Sequence, residues 1–154
     1  FLRYEDPGLA MTTLFNLQPE AVEIVDADSK LALLDHLAER FAAVYGLDKV
    51  LVLERIEERE KLGSTGFGRG VAIPHARTDA VTRLVCAVGL KKEGIDFDSV
   101  DGKPVKLIFL IISPLDDIQG HLACLSAISH AASDEQTRLR LLQSTSSLWT
   151  LLPL

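Results

Sequence analysis

Cysteine is scarce in this chain. Cys86 and Cys124 are the only two in 154 residues, and each lies inside an apolar run. That count excludes a disulfide-stapled scaffold and leaves buried free thiols as the expected state. Long hydrophobic runs are missing too. None reaches the ~18 residues of a membrane span, so no membrane insertion is expected. Positive charge is in deficit, with 16 Lys and Arg against 22 Asp and Glu and a formal net charge of −6. That is the wrong sign for a chain whose main partner is nucleic acid. The opening residues, Phe1-Leu2-Arg3-Tyr4-Glu5-Asp6, mix charges and carry no apolar segment, so they do not read as a signal peptide. No internal repeat, low-complexity tract or linker divides the chain. One domain is the expectation at this length, over 11–154, with Met11 as its native start and 1–10 as a poorly ordered extension.

What is present is a sequence with clear punctuation. Ala21 to Ala27 alternates like a strand. Asp28-Ser29 offers an N-cap to a helix from Leu31 to Tyr45, whose apolar face is read as Leu31, Leu34, Leu37, Phe41 and Val44. Gly46 closes it. A second helix spans Asp48 to Leu62 and stops at Gly63. Ser64 to Gly70 is glycine-punctuated and runs into a short β-type segment, Val71-Ala72-Ile73. Leu84 to Leu90 reads as a buried strand and Asp101-Gly102 as a tight turn. Val105 to Ile112 is the strongest apolar run and is expected to be the central strand. Pro114 ends it. Asp116-Asp117 then caps a helix from Ile118 to Ala132, and shorter helices follow over Asp134 to Leu142 and Ser146 to Leu152. Helices, then strands, then helices predict a three-layer α/β domain with a mixed sheet.

His75 is the residue best placed for chemistry. Pro74 fixes its own φ and pushes Ile73 to extended geometry, so the orientation of the imidazole is set locally. Gly66, Gly68 and Gly70 either let the backbone approach a ligand, with amides open to an anion, or simply form a tight hairpin. His121 shares a helix face with Cys124, Leu125 and Ile128 and should look inward, either as a core residue or as part of a site. His130 and His36 read as surface residues. Arg59 ends the second helix, where a cation is favourable in any case; beside a phosphorylated histidine it could pair with phosphoryl oxygens.

Other motifs fail on context. Gly66-Phe67-Gly68-Arg69-Gly70 approaches a dinucleotide fingerprint, but it follows a helix and precedes a strand, the reverse of what that motif requires. No kinase motifs accompany it. His121 and Cys124 make half a metal site without a second ligand pair, so no metal is expected. Ser64, His75 and Asp79 lack the nucleophile elbow of a hydrolase.

Taken together, Arg59-Glu60, Ser64-Thr65-Gly66-Phe67-Gly68 and Val71-Ala72-Ile73-Pro74-His75 resemble the signature of phosphotransferase-system enzyme IIA domains of the mannitol/fructose type. His121-Leu122, 46 positions after His75 (121 minus 75), resembles the second active-site histidine of that family. The likeness covers about 14–152. Asp96-Phe97-Asp98-Ser99-Val100-Asp101-Gly102-Lys103-Pro104-Val105 is similar to a segment of the nitrogen-regulatory branch. Ala76 stands where the family most often has glycine.

The resemblance implies a five-stranded mixed sheet flanked by helices. It implies that His75 accepts phosphate on Nε2 from an HPr-like phosphocarrier of the NPr type, without metal or small cofactor. Arg59 and His121 would stabilise the phosphoryl group, and Ser64, Thr65, Gly66 and Gly68 would form the loop beside it. The expected output is regulation of protein targets, such as potassium-transport or sensor proteins, in the cytoplasm. The alternative is a sugar-specific component that passes phosphate to a IIB domain.

Overall fold

The structure, a computed structural model, describes residues 19–143. The expected extension over 1–10 and the expected helix from Ser146 to Leu152 lie outside the described residues. A 3-10 turn, Pro19–Ala21, leads into β1 (Val22–Ile24). Helices α1 (Lys30–Tyr45) and α2 (Lys49–Lys61) follow, then β2 (Gly66–Gly68), β3 (Val71–Ala72), β4 (His75–Thr78), β5 (Val85–Ile95) and β6 (Val105–Pro114). Helices α3 (Ile118–Ala132) and α4 (Glu135–Gln143) complete the described chain.

The strand segments run β1-β5-β6-β3-β2, and β4 also pairs with β6. β6 is central, as its apolar run predicted. It pairs antiparallel with β5 and parallel with both β3 and β4. β3 sits opposite Leu107 and Ile108, and β4 opposite Ile111 to Pro114, along the same edge of β6. Six segments therefore fill five lanes, and one lane is interrupted at Ile73-Pro74. The break has a local cause: Pro74 has no N–H to give the ladder. Its carbonyl still accepts from the Ile111 amide at 3.0 Å, so the lane continues through the gap.

The helix ends follow the caps read from sequence. The Ser29 side chain accepts from the Ala32 amide at 3.1 Å. Gly46 closes α1 at φ 69°, a left-handed conformation that glycine adopts without strain. Asp117 caps α3, and Asp48, which the sequence placed as the first residue of the second helix, is the cap of α2. The core face of α1 differs from the expectation. Leu33, Leu34, Leu37, Ala38 and Phe41 are buried, while Leu31 is 67% exposed. At about 100° per residue Leu31 stands roughly 120° round the helix from Leu37, on the far flank of the stripe. β5 also runs past Leu90 to Ile95, through Lys91-Lys92-Glu93, which hydropathy alone placed outside the strand. Backbone pairing with β6 resumes at Ile95 opposite Val105, after an irregularity.

Helices flank the sheet, with α1 packed on β5, α2 on β4, and α3 and α4 on β6. Phe41, Phe97 and Phe109 are fully buried in the shared core, and Cys86 and Cys124 are buried free thiols. Leu37 of α1 packs closely over Gly89 of β5. A Cβ there would lie 3.0 Å from Val25 Cγ2 and 3.1 Å from Leu37 Cδ2. Gly89→Ala should therefore destabilise the fold by about 1–3 kcal/mol, the range for overpacking a filled core. A lower urea midpoint at unchanged m-value would show it.

Candidate functional site

The interrupted lane positions the site. His75 is the first residue of β4, directly after Pro74, and pairs with Ile111 of β6. Its Nδ1 lies 2.6 Å from the Ile73 carbonyl. A carbonyl oxygen can only accept, so Nδ1 carries the ring proton and Nε2 keeps its lone pair. The ring is half-buried. Burial is the main cause that holds its pKa below 6.5; the Ile73 bond opposes it, the Arg59 charge adds to it, and Glu60 opposes it.

His121 reaches the same place from α3. Its ring centroid is 5.3 Å from that of His75, with 56° between the planes. It is 9% exposed. Its Nδ1 lies 2.7 Å from the hydroxyl of Ser113, a fully buried residue near the end of β6. Burial first, then the charges of His75 and Arg77, push its pKa down to about 4 against an opposing pull from Asp117. Both rings are thus neutral near pH 7.

Arg59 lies in the last turn of α2 and donates from Nη1 to the Gly63 carbonyl at 2.9 Å. That is one of the five N–H groups of a guanidinium. Arg77, two residues beyond His75 on β4 and so on the same strand face, donates to the Leu115 carbonyl at 3.4 Å. The structure brings the His75 and His121 rings together, leaves Arg59 near enough for its charge to act on His75, and adds Arg77 and Ser113 beside His121. Sequence reasoning gave no role to either of these two. The available signal for Ser113 was a polar residue closing the apolar run Leu107 to Ile112 just before Pro114; for Arg77 it was the two-residue strand period from His75.

Of the two readings of the glycine segment, an anion loop and a tight hairpin, the fold forms the hairpin. Gly66–Gly68 is a strand paired antiparallel with β3, and Arg69 and Gly70 turn the hairpin at φ 60° and 78°. The Thr65 amide and hydroxyl both donate to the Glu60 carboxylate. The Gly66 amide donates to Ser64 Oγ at 3.0 Å, and the Ser64 hydroxyl donates to the Phe97 carbonyl. Gly68 is buried in the hairpin. The amides of Thr65 and Gly66 are thus engaged within the fold. Glu60 is in turn held by Lys30 Nζ at 2.9 Å.

The two remaining histidines stand apart from this cluster. His36 bonds the Glu23 carboxylate at 3.0 Å on the far edge of the sheet, and His130 is exposed in the last turn of α3. Among the described residues no group of three or more His, Cys, Asp or Glu side chains is arranged to hold a metal ion, and no helix is long and apolar enough to cross a membrane.

The depressed pKa of His121 predicts a pH dependence of stability. Between pH 6.5 and about 4 the unfolded imidazole takes a proton that the folded one refuses. Stability is therefore full above pH 6.5 and falls as pH drops towards 4, by roughly 2–3 kcal/mol from this group. Urea midpoints at pH 7 and 4.5 should show the loss in the wild type and a shallower one in His121→Asn, which retains a partner for Ser113.

Comparison with known proteins places the chain as a whole. Residues 15–152 match the family described as the phosphoenolpyruvate-dependent sugar phosphotransferase system, EIIA 2. The fructose-specific EIIA component of Haloferax volcanii is 43% identical over 99 residues, a stretch that spans 64% of this chain and 64% of that protein. The nitrogen regulatory protein of Klebsiella oxytoca is 34% identical over 150 residues, covering 96% of this chain and 92% of that protein. The crystal structure of nitrogen regulatory protein IIA-Ntr from Neisseria meningitidis superimposes with a TM-score of 0.82 at 33% identity, covering 88% of this chain and 94% of that one.

Proposed function

The chain belongs to the EIIA 2 family of the phosphoenolpyruvate-dependent sugar phosphotransferase system, and on that basis we propose that it is a phosphate-accepting regulator. His75 takes a phosphoryl group on Nε2 from an HPr-like phosphocarrier of the NPr type, and protein targets distinguish its two states. The observation that carries this reading is the bond from Nδ1–H to the Ile73 carbonyl. It leaves Nε2 as the nucleophile, in a neutral ring, at ordinary pH. The Nε2–P bond forms as the bond from phosphorus to the carrier breaks. Positive charge that develops on the ring is met by the same carbonyl. Arg59 offers its remaining N–H groups to the phosphoryl oxygens, and His121 stands one ring away. Protein docking is supported by an apolar rim: Leu115, Ile118 and Leu122, around His121 in the chain, are all more than half exposed.

Regulation is favoured by likeness to nitrogen regulatory proteins over nearly the whole chain. Targets of the potassium-transport or sensor class belong to this reading. A phosphoryl group adds roughly −1.5 to −2 charges to the docking face, enough to switch a partner that covers His75. The fructose-specific relative, more similar over a shorter stretch, favours the second reading of a sugar component that feeds a IIB domain. Incubation with phosphoenolpyruvate, enzyme I and an HPr-type carrier, followed by mass spectrometry for acid-labile phosphate, tests the shared step. Phosphate that stays on this chain in the presence of fructose-type and mannitol-type IIB domains supports regulation; rapid passage to one of them, with sugar uptake depending on it, decides for transport.

A further inference from the structure

Two neutral histidines face one site, and a neutral histidine has two tautomers with opposite hydrogen-bonding abilities. For His75 the Ile73 carbonyl settles the choice. For His121 the partner is Ser113, whose hydroxyl can donate or accept. Its surroundings decide which. Ser113 is 0% exposed, and among the described residues its hydroxyl makes one side-chain hydrogen bond, the 2.7 Å contact with His121 Nδ1. If Nδ1–H donated to Oγ, the hydroxyl proton would be buried without an acceptor, an arrangement that native structures avoid. With the hydroxyl donating to the Nδ1 lone pair, both groups are satisfied, and the ring proton of His121 lies on Nε2.

We propose that Ser113 is a positioning residue: its hydroxyl holds His121 in the Nε2–H tautomer and so makes that ring a hydrogen-bond donor to the phosphoryl group on His75. The inference rests on the reading of His75 as the acceptor. It gives the paired rings complementary roles, His75 presenting a lone pair at Nε2 and His121 an N–H at Nε2. In the other tautomer His121 would turn a lone pair on the phosphoryl oxygens, and the contact would be repulsive. The distinction is set by a residue that touches neither phosphate nor carrier.

The test uses the full chain, 15N-labelled, with histidine ring nitrogens observed by long-range 1H–15N correlation at pH 7.5. Wild type should show His121 protonated on Nε2 and His75 on Nδ1. Ser113→Ala should move the His121 nitrogens towards a mixture of tautomers, leave His75 unmoved, and slow phosphate acceptance from the HPr-type carrier by about tenfold, less than the ~10²-fold of losing a positioned donor outright. Ser113→Thr, which keeps a hydroxyl, should restore the wild-type His121 pattern. A wild-type His121 protonated on Nδ1 overturns the proposal, as does a Ser113→Ala chain with unmoved His121 nitrogens and an unchanged rate. Absence of any phosphate on wild-type His75 would instead overturn the acceptor assignment, and the ring tautomers would still decide what Ser113 does to His121.

Discussion

His75→Ala should take no phosphate from an HPr-type carrier, while the folded chain persists with a melting temperature within a few degrees of wild type. The loss should be complete because the other three histidines are placed differently. His121 is buried with its Nδ1 tied to Ser113, His36 is held by Glu23, and His130 lies at the opposite end of α3 from the cluster. The fold should survive because the half-buried ring makes one hydrogen bond, to Ile73. That carbonyl can turn to water once the ring is gone, and the strand pairing of β4 with β6 runs through the backbone. Labelling of the variant at the wild-type level would remove His75 from the mechanism. Circular dichroism and a thermal melt on the same sample separate loss of the acceptor from loss of structure.

His121→Ala should slow acceptance by about 10²-fold or more, the usual cost of removing one positioned polar group from a site where charge develops. The phosphate should still appear on His75. This variant carries a structural penalty as well, since the Ser113 hydroxyl loses its partner in a fully buried position, at about 1–3 kcal/mol. The kinetic effect must therefore be read on chain shown to be folded. His121→Gln offers a sharper comparison, because its side-chain amide can still donate a hydrogen bond but cannot titrate as imidazole does. Partial recovery of the rate in His121→Gln would point to hydrogen-bond donation; a Gln variant as slow as Ala would point to a role that needs the ring itself. An His121→Ala chain that labels at the full rate would leave the 5.3 Å approach of the two rings without kinetic consequence.

Much of the architecture was legible along the chain because its causes are short-range. Caps at Ser29, Asp48 and Asp117 act within three residues, and Gly46 ends α1 through its own backbone angle. The apolar run from Val105 onward marked the central strand because a strand covered on both faces is apolar on both. Leu31 was misplaced for the reason that spacing alone leaves open. Leu31 and Leu33 both fit a helical repeat with Leu34 or Leu37, and only the position of the sheet selects between them. The glycine segment was ambiguous between an open anion loop and a hairpin, and local glycine content does not select the pairing of β2 with β3 that the fold forms.

The sequence by itself determined that one histidine would stand at a fixed angle after a proline. Pro74 restrains the backbone on both sides of it, whatever surrounds the chain. It also determined that a second histidine would look inward from the start of a capped helix, since helical period and the cap residue are local. Only the tertiary structure decided what each ring can do. The parallel pairing of β4 with β6 places His75 opposite Ile111 and Arg77 opposite Ser113, and the turn from β6 into α3 brings His121 back over that same end of the sheet. Whether an imidazole nitrogen holds a lone pair or a proton depends on which atom lies within about 3 Å of its other nitrogen. For His75 that atom comes from two residues back, and for His121 it comes from a different element, across a distance that no periodicity encodes.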